Sequence, residues 1–305
     1  MFRVNRDILY LIFFKELQND KNIPYSCLSV NNTRFCKHLN FIEIERIIDI
    51  CMKYQGNQVI LVKNEIINAF INEKTRFTHL YLPQQFVYQI HLIPGAEQCF
   101  SNLKFLYCKT NVDEKVLIGL TEICKSITRL ELFIEKFNNN YGIVKFIEAS
   151  FVSIPVLTSL IENTKGYLRD INIQFINHSE INNKRIIQAI YQNCPNLLYL
   201  KILYRNSSTE LENLLINCQR LIGLFFIISD LFVSFNWKDL FEVLTRLSPT
   251  SLFKFSFSNC YREISLEALK FFFDNWKEKY KAKGIIKKFN YNTWYEQVFK
   301  DFEWI

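Results

Sequence analysis

One phrase recurs along this chain and constrains its fold more than any other feature. It reads anchor, two residues, apolar, two residues, apolar, one residue, apolar. The clearest copies begin at Cys194 (then Leu197, Leu200, Ile202) and Cys218 (Leu221, Leu224, Phe226). Two more begin at Cys124 (Ile127, Leu130, Leu132) and Phe100 (Leu103, Leu106, Cys108). Weaker copies lead from Lys74 to Phe77, Leu80 and Leu82, and from Lys165 to Leu168, Ile171 and Ile173. Two others lead from Pro249 to Leu252, Phe255 and Phe257, and from Lys283 to Ile286, Phe289 and Tyr291. The penultimate apolar positions therefore fall at Leu80, Leu106, Leu130, Ile171, Leu200, Leu224, Phe255 and Phe289, in steps of 26, 24, 41, 29, 24, 31 and 34 residues. Most of these steps are near the length of one strand plus one helix, the unit of stacked repeat arrays. The step from Leu130 to Ile171 is too long for one unit, and Gly142 to Ile147 reads as the worn remains of another.

The last two apolar positions of each phrase alternate with period two, as in a short strand with one buried face. Helical patterns lie between the phrases at Asn64–Glu73, Asp113–Cys124 and Ser208–Asn217, where apolar residues recur every three or four positions. One strand and one helix cannot bury their faces alone, whereas stacked units share a continuous core. The expected fold is therefore an α/β solenoid with strands lining a concave side. Residues flanking the inward strand positions then form the candidate partner face: Arg129, Glu131, Asp170, Asn172, Tyr199, Lys201, Phe225, Lys254 and Ser256. Cys124, Cys194 and Cys218 occupy equivalent places, each ending a helix where a small buried thiol fits a crowded corner.

The Cys-x-x-Leu-x-x-Leu-x-Leu phrase resembles the cysteine-containing leucine-rich repeats of F-box proteins, over about residues 74 to 291. The N-terminal stretch supports the same resemblance. Residues 4 to 17 are similar to an F-box opening, Leu-Pro-x-Glu-Ile-Leu-x-x-Ile-Phe-x-x-Leu. Val4 stands at the Leu, Asp7 at the Glu, and Ile8, Leu9, Ile12, Phe13 and Leu17 at the apolar positions. Leu28 and Val30, in Tyr25-Ser-Cys-Leu-Ser-Val-Asn31, resemble the later helix. The wording is similar to a large family of F-box proteins from arbuscular mycorrhizal fungi. Asn5 stands where that motif has Pro, Arg34 where it has Trp, and Phe41 to Met52 follows at once as a helical pattern, so the F-box is shortened.

The resemblance implies an F-box-like helical segment over residues 1–40. A leucine-rich-repeat horseshoe with an irregular C-terminal cap would occupy residues 41–305. It also implies the substrate-receptor subunit of an SCF-type E3 ubiquitin ligase. In that role Val4, Asp7, Ile8, Leu9, Ile12, Phe13, Leu17, Leu28 and Val30 would dock a Skp-type adaptor carrying a cullin, and the repeats would hold an unknown protein substrate. The same apolar positions also fit an amphipathic helix capping the first repeat. In that case the chain is a free-standing protein-binding scaffold.

Composition excludes other classes. Seven glycines among 305 residues leave little for phosphate loops or tight hairpins. The nine cysteines include no Cys-x-x-Cys pair, and neither Cys27 with Cys36 nor Cys99 with Cys108 has zinc-ligand spacing. His38, His79, His91 and His178 form no metal or nucleophile–base motif. His79 beside Leu80 is expected to face outward as a surface or partner contact. No enzyme activity and no cofactor are expected. The net charge of +7 is concentrated between Trp276 and Lys288, at the end of a helical pattern, so no nucleic-acid partner is expected. Ile8–Phe14 is flanked by Asp7 and Lys15-Glu16, unlike an export signal. Leu221–Phe235 is too short to span a bilayer and reads as a buried strand with its neighbours. A cytoplasmic or nuclear protein with reduced cysteines is expected.

Overall fold

The computed structural model describes residues 37–51, 58–109, 112–133, 154–174, 180–205, 207–228, 235–258 and 266–281. They belong to two compact units, Met1–Thr164 and Lys165–Ile305. The F-box-like positions from Val4 to Val30, the Gly142–Ile147 stretch and the Lys283 phrase lie outside the described residues.

In the first unit, strands β1 (His38–Asn40), β2 (His79–Leu82), β3 (Phe105–Lys109) and β4 (Arg129–Phe133) pair in chain order, every pair parallel. The connecting helices are α1 (Phe41–Cys51), α2 (Gln58–Phe70), α3 (Ala96–Phe100) and α4 (Glu114–Ile123), and α5 (Ile154–Asn163) packs on α4. In the second unit, β5 (Asp170–Gln174), β6 (Tyr199–Tyr204), β7 (Gly223–Ile228) and β8 (Lys254–Ser258) likewise pair in chain order and in parallel. They alternate with α6 (Glu180–Asn193), α7 (Ser208–Asn217), α8 (Trp237–Leu247) and α9 (Leu266–Lys281). Each unit is thus a repeat of strand and helix, as the period of the phrase requires.

The phrase sets the register. Its penultimate positions align across strands as Leu80–Leu106–Leu130 in the first unit and Ile171–Leu200–Leu224–Phe255 in the second. All are buried, as are the first apolar positions from Phe77 through Leu103, Ile127, Leu168, Leu197 and Leu221 to Leu252. The backbone adds its own ladder. The carbonyl just before each of β1–β3 and β5–β7 accepts two N–H groups from the next rung. Lys104 takes Thr128 and Arg129 at 2.8 and 2.9 Å, and Leu198 takes Ile222 and Gly223 at 2.7 and 3.0 Å. The second residue after the anchor ties rungs together through its side chain. Ser126 Oγ donates to the Ser101 carbonyl at 3.0 Å, Asn196 Nδ2 to that of Gly166 at 3.2 Å, and Ser251 Oγ to that of Leu221 at 2.8 Å. The strand begins where it does because buried N–H groups at the corner must find acceptors.

The cysteine corners follow the same logic. Cys124, Cys194 and Cys218 donate their N–H to the carbonyl four residues back, at 2.8 to 2.9 Å, closing α4, α6 and α7. All three thiols are buried and unpaired in disulfides. Lys74 and Lys165 behave differently, because both anchors are exposed. Their neighbours take the corner instead: Thr75 Oγ1 donates to the Phe70 carbonyl at 2.8 Å, and Thr164 Oγ1 to that of Ile161 at 2.7 Å. A hydroxyl there satisfies a helix-end carbonyl.

Two features were not expected from the phrases read above. β1 was not among the phrases read above, although Thr33, Cys36, Leu39 and Phe41 keep the same spacing; Leu39 stands in register with Leu80, and the Lys37 carbonyl accepts from Thr78 and His79 at 2.8 and 3.0 Å. Asn40 ends β1 and caps α1, its Oδ1 accepting from the Ile42 N–H at 3.1 Å and the Glu43 N–H at 3.3 Å. Between β2 and β3 the chain forms a 3-10 turn (Ile90–Leu92) and the short α3 rather than one long helix.

The His91 ring of that turn lies over Gly119 of α4, where an added methyl would collide with it. Alanine is normally about 1 kcal/mol better than glycine inside a helix. Overpacking of this kind costs about 1–3 kcal/mol. Gly119→Ala is therefore expected to lower stability in urea unfolding, and to raise it when introduced into a His91→Ala background. Stabilisation by Gly119→Ala alone would contradict this contact.

Candidate partner-binding face

Period two leaves the residues between the buried positions on the opposite face of each run of strands. In the second unit they form two columns. One is Asp170–Tyr199–Gly223–Lys254 and the other Asn172–Lys201–Phe225–Ser256. Seven of the nine residues expected on the partner face stand here together, and Arg129 and Glu131 stand on the first unit's equivalent face. The first unit's columns are His38–His79–Phe105–Arg129 and Asn40–Tyr81–Tyr107–Glu131.

Sequence reasoning passed over His38, Tyr81, Phe105 and Tyr107. The available signal was positional. Tyr81 and Tyr107 occupy the place of Glu131, and Phe105 that of Arg129, in their own phrases. These residues form a ladder of rings. The His38 and His79 imidazoles stack at 3.9 Å, with 5° between planes. His79 meets Phe105 at 5.5 Å, Tyr81 meets Phe105 at 5.3 Å, and Tyr81 meets Tyr107 at 6.0 Å. The Arg129 guanidinium lies 5.1 Å above the Phe105 ring and pairs with the Glu131 carboxylate. Thr78 Oγ1 and His79 Nδ1 are 2.9 Å apart, and the Tyr81 hydroxyl is 3.4 Å from His38 Nδ1.

The second unit's face is built around Gly223. A Cβ there would lie 2.7 Å from Tyr199 Cδ1 and 2.9 Å from Phe225 Cε2, so the glycine lets both rings close over the backbone. Lys254 Nζ lies 5.9 Å from the Tyr199 ring. The Asn172 Oδ1 atom is buried with no hydrogen-bond partner.

Burial holds both face histidines below their ordinary value of 6.5. The Lys37 charge adds to this at His38, and the charges of His38 and Arg129 add to it at His79. The folded protein therefore binds these protons less readily than the unfolded chain does. Stability from this pair is complete above about pH 6.5 and declines as pH falls below it. Melting temperature is expected to drop between pH 7 and 5, and a His38→Gln, His79→Gln variant is expected to flatten that drop. A slope unchanged in the variant would contradict the assignment.

The buried cysteines offer little chemistry at neutral pH. Burial pushes the thiols of Cys124, Cys194 and Cys218 up to about 12, and that of Cys108 further still. Among the described residues no group of three or more His, Cys, Asp or Glu side chains could hold a metal ion. Nor is any described helix long and apolar enough to cross a membrane. The chain matches no protein-family model, and no curated protein matches it in sequence. What the face offers is a row of planar and charged side chains on a regular backbone.

Proposed function

We propose that this chain is the substrate-receptor subunit of an SCF-type E3 ubiquitin ligase, doing no chemistry itself. Residues 4 to 30 would hold a Skp-type adaptor and its cullin, and the outward face of the repeats would hold a target protein. The reading places the chain in the cytoplasm or nucleus. Its main support is the register of the repeats. The strands bury their penultimate phrase positions and align the residues between them in straight columns, the usual binding surface of stacked repeats. The likeness of Val4–Leu17 to an F-box opening supplies the ligase half.

A purified Skp-type adaptor should bind the full-length chain in a pull-down. Phe13→Asp should then weaken binding at least about thirtyfold, because a charge on an apolar docking surface removes an anchor contact, while the circular dichroism of the repeats stays unchanged. No binding beside a working F-box control sinks the ligase reading. A free-standing protein-binding scaffold is then favoured. Asn5 and Arg34 depart from the F-box pattern.

A further inference from the structure

In the second unit α6, α7 and α8 each end a short turn before the next strand begins, so their corners stack along one edge of the sheet. The carbonyls of Arg169, Leu198 and Ile222 accept N–H groups from the next rung and hold those corners in a row. Two lines of side chains stand there. One is Tyr167–Asn196–Arg220–Ser251, in which Asn196 Nδ2 donates to the Gly166 carbonyl at 3.2 Å and Arg220 Nη1 to Asn196 Oδ1 at 3.1 Å. The other is Arg169–Leu198–Ile222–Phe253. Tyr167 is 58% exposed and Phe253 52%, and Ile216 at the end of α7 is 54% exposed. Lys165, Arg169 and Arg220 are exposed too, and Lys254 Nζ lies 5.9 Å from the Phe253 ring. Residues 165–169, 194–198, 218–222 and 249–254 contain no acidic residue. Asp170 follows Arg169 but stands in the outward column. Among the described residues the ion pairs of this unit are Lys184–Glu180 and Arg246–Glu212, which involve none of these four cations.

Cations at helix C-termini have an ordinary use, which is to meet the helix-end carbonyls. The first unit uses them so. Arg76 donates to the Thr75 carbonyl at 2.7 Å, and Lys125 to that of Thr121 at 2.9 Å. The positions there that match Leu198, Ile222 and Phe253 are Thr78, Lys104 and Thr128, and both hydroxyls donate to carbonyls of the preceding rung. In the second unit apolar side chains take those places, beside cations that bond no carbonyl among the described residues. Trp276 of α9 meets Phe255 near the start of β8 at 4.8 Å, so α9 runs toward the same edge, with the sequence Lys277-Glu-Lys-Tyr-Lys281 at its end.

We propose that this edge docks on an anionic membrane surface, with Lys165, Arg169, Arg220 and Lys254 among the lipid headgroups and Tyr167, Ile222 and Phe253 at the boundary of the acyl chains. Rungs are about 4.8 Å apart, so the line from Arg169 to Phe253 runs straight for about 14 Å. A straight edge of cations and aromatic rings suits the flat interface between water and lipid. An acidic protein segment or an RNA strand would use the cations but gain little from Leu198, Ile216 and Ile222. The inference stands apart from the ligase reading, since it uses neither residues 4 to 30 nor, Lys254 excepted, the outward columns.

The full-length chain, sedimented at physiological salt with vesicles of mixed phosphatidylserine and phosphatidylcholine, is expected to bind them. Little binding to phosphatidylcholine alone is expected. Arg169→Gln and Lys254→Gln should each weaken partitioning about fivefold, the usual worth of one cation at an anionic leaflet. Phe253→Ser should weaken it about tenfold through lost apolar burial. Lys238→Gln removes the same charge from the exposed first turn of α8, at the opposite edge, and should leave partitioning unchanged. The proposal is overturned if the mixed vesicles do not bind, if the edge variants bind as the parent chain does, or if Lys238→Gln weakens binding as much as Arg169→Gln. It is also overturned if soluble polyglutamate or single-stranded RNA binds more tightly than the vesicles and is lost in the same variants, because the occupant is then a protein or a nucleic acid.

Discussion

Replacing Phe241 with alanine is expected to cost about 3–5 kcal/mol, the usual range for truncating a buried aromatic side chain. Phe241 is fully buried in α8. Its ring meets Phe272 at 4.7 Å, Trp237 at 5.7 Å and Phe257 at 5.8 Å, and Phe272 meets Trp276 at 5.2 Å. These rings join α8, α9 and β8, so the void would open among stiff side chains that cannot collapse into it. Total stability of a domain is about 5–15 kcal/mol, so the loss is a large share of it. All four tryptophans of the chain lie at position 237 or beyond, so tryptophan fluorescence during urea unfolding reads the second unit. The midpoint should fall sharply in Phe241→Ala and by much less in Phe241→Leu, which keeps most of the volume. Equal, small effects from both would mean that the aromatic cluster is loosely packed.

Leu106→Ala is expected to cost about 2–5 kcal/mol in the first unit. Leu106 has no exposed surface and sits in register between Leu80 and Leu130. Its neighbour Tyr107 belongs to the outward column and is half-buried. Tyr107→Ala should therefore cost about 1 kcal/mol, the ordinary size of a surface-proximal change. The comparison tests the phase of the strand, because a slip of one residue exchanges the two faces. Thermal unfolding followed by far-ultraviolet circular dichroism would read both variants. A greater loss in Tyr107→Ala than in Leu106→Ala would place the rung in the opposite phase.

The strands and their inward residues were legible because burial writes a strict period into each phrase. Leu130, Leu200 and Leu224 lie at equal offsets from a buried cysteine, and that corner is closed by the helix's own hydrogen bonds. Helix limits were legible where capping is local. Ser208–Asn217 matches α7, and Asp113, the first residue of the Asp113–Cys124 pattern, caps α4 by accepting from the Lys115 N–H at 2.7 Å. β1 was passed over, although Cys36, Leu39 and Phe41 follow Thr33 at the offsets of the phrase, because Thr33 is neither a cysteine nor a bulky anchor. Lys74 and Lys165 misled for a related reason. Spacing located the corner, but the group that fills it is the adjacent threonine, chosen by a hydrogen bond rather than by volume. The ring ladder on the first unit was half-legible. Arg129 and Glu131 were placed on the outward face, while Tyr81, Phe105 and Tyr107, at the same offsets in their own phrases, were not.

In the proposed ligase role an N-terminal stretch docks the adaptor and the repeat surface is free to hold a partner. Hydrogen exchange of the full-length chain, measured with and without a purified Skp-type adaptor, tests that division most directly. Slowed exchange confined to residues 4 to 30 is expected, with the amides of β2, β3, β6 and β7 unchanged. Slowed exchange along those strands with none in residues 4 to 30, or no change anywhere at saturating adaptor, would contradict it.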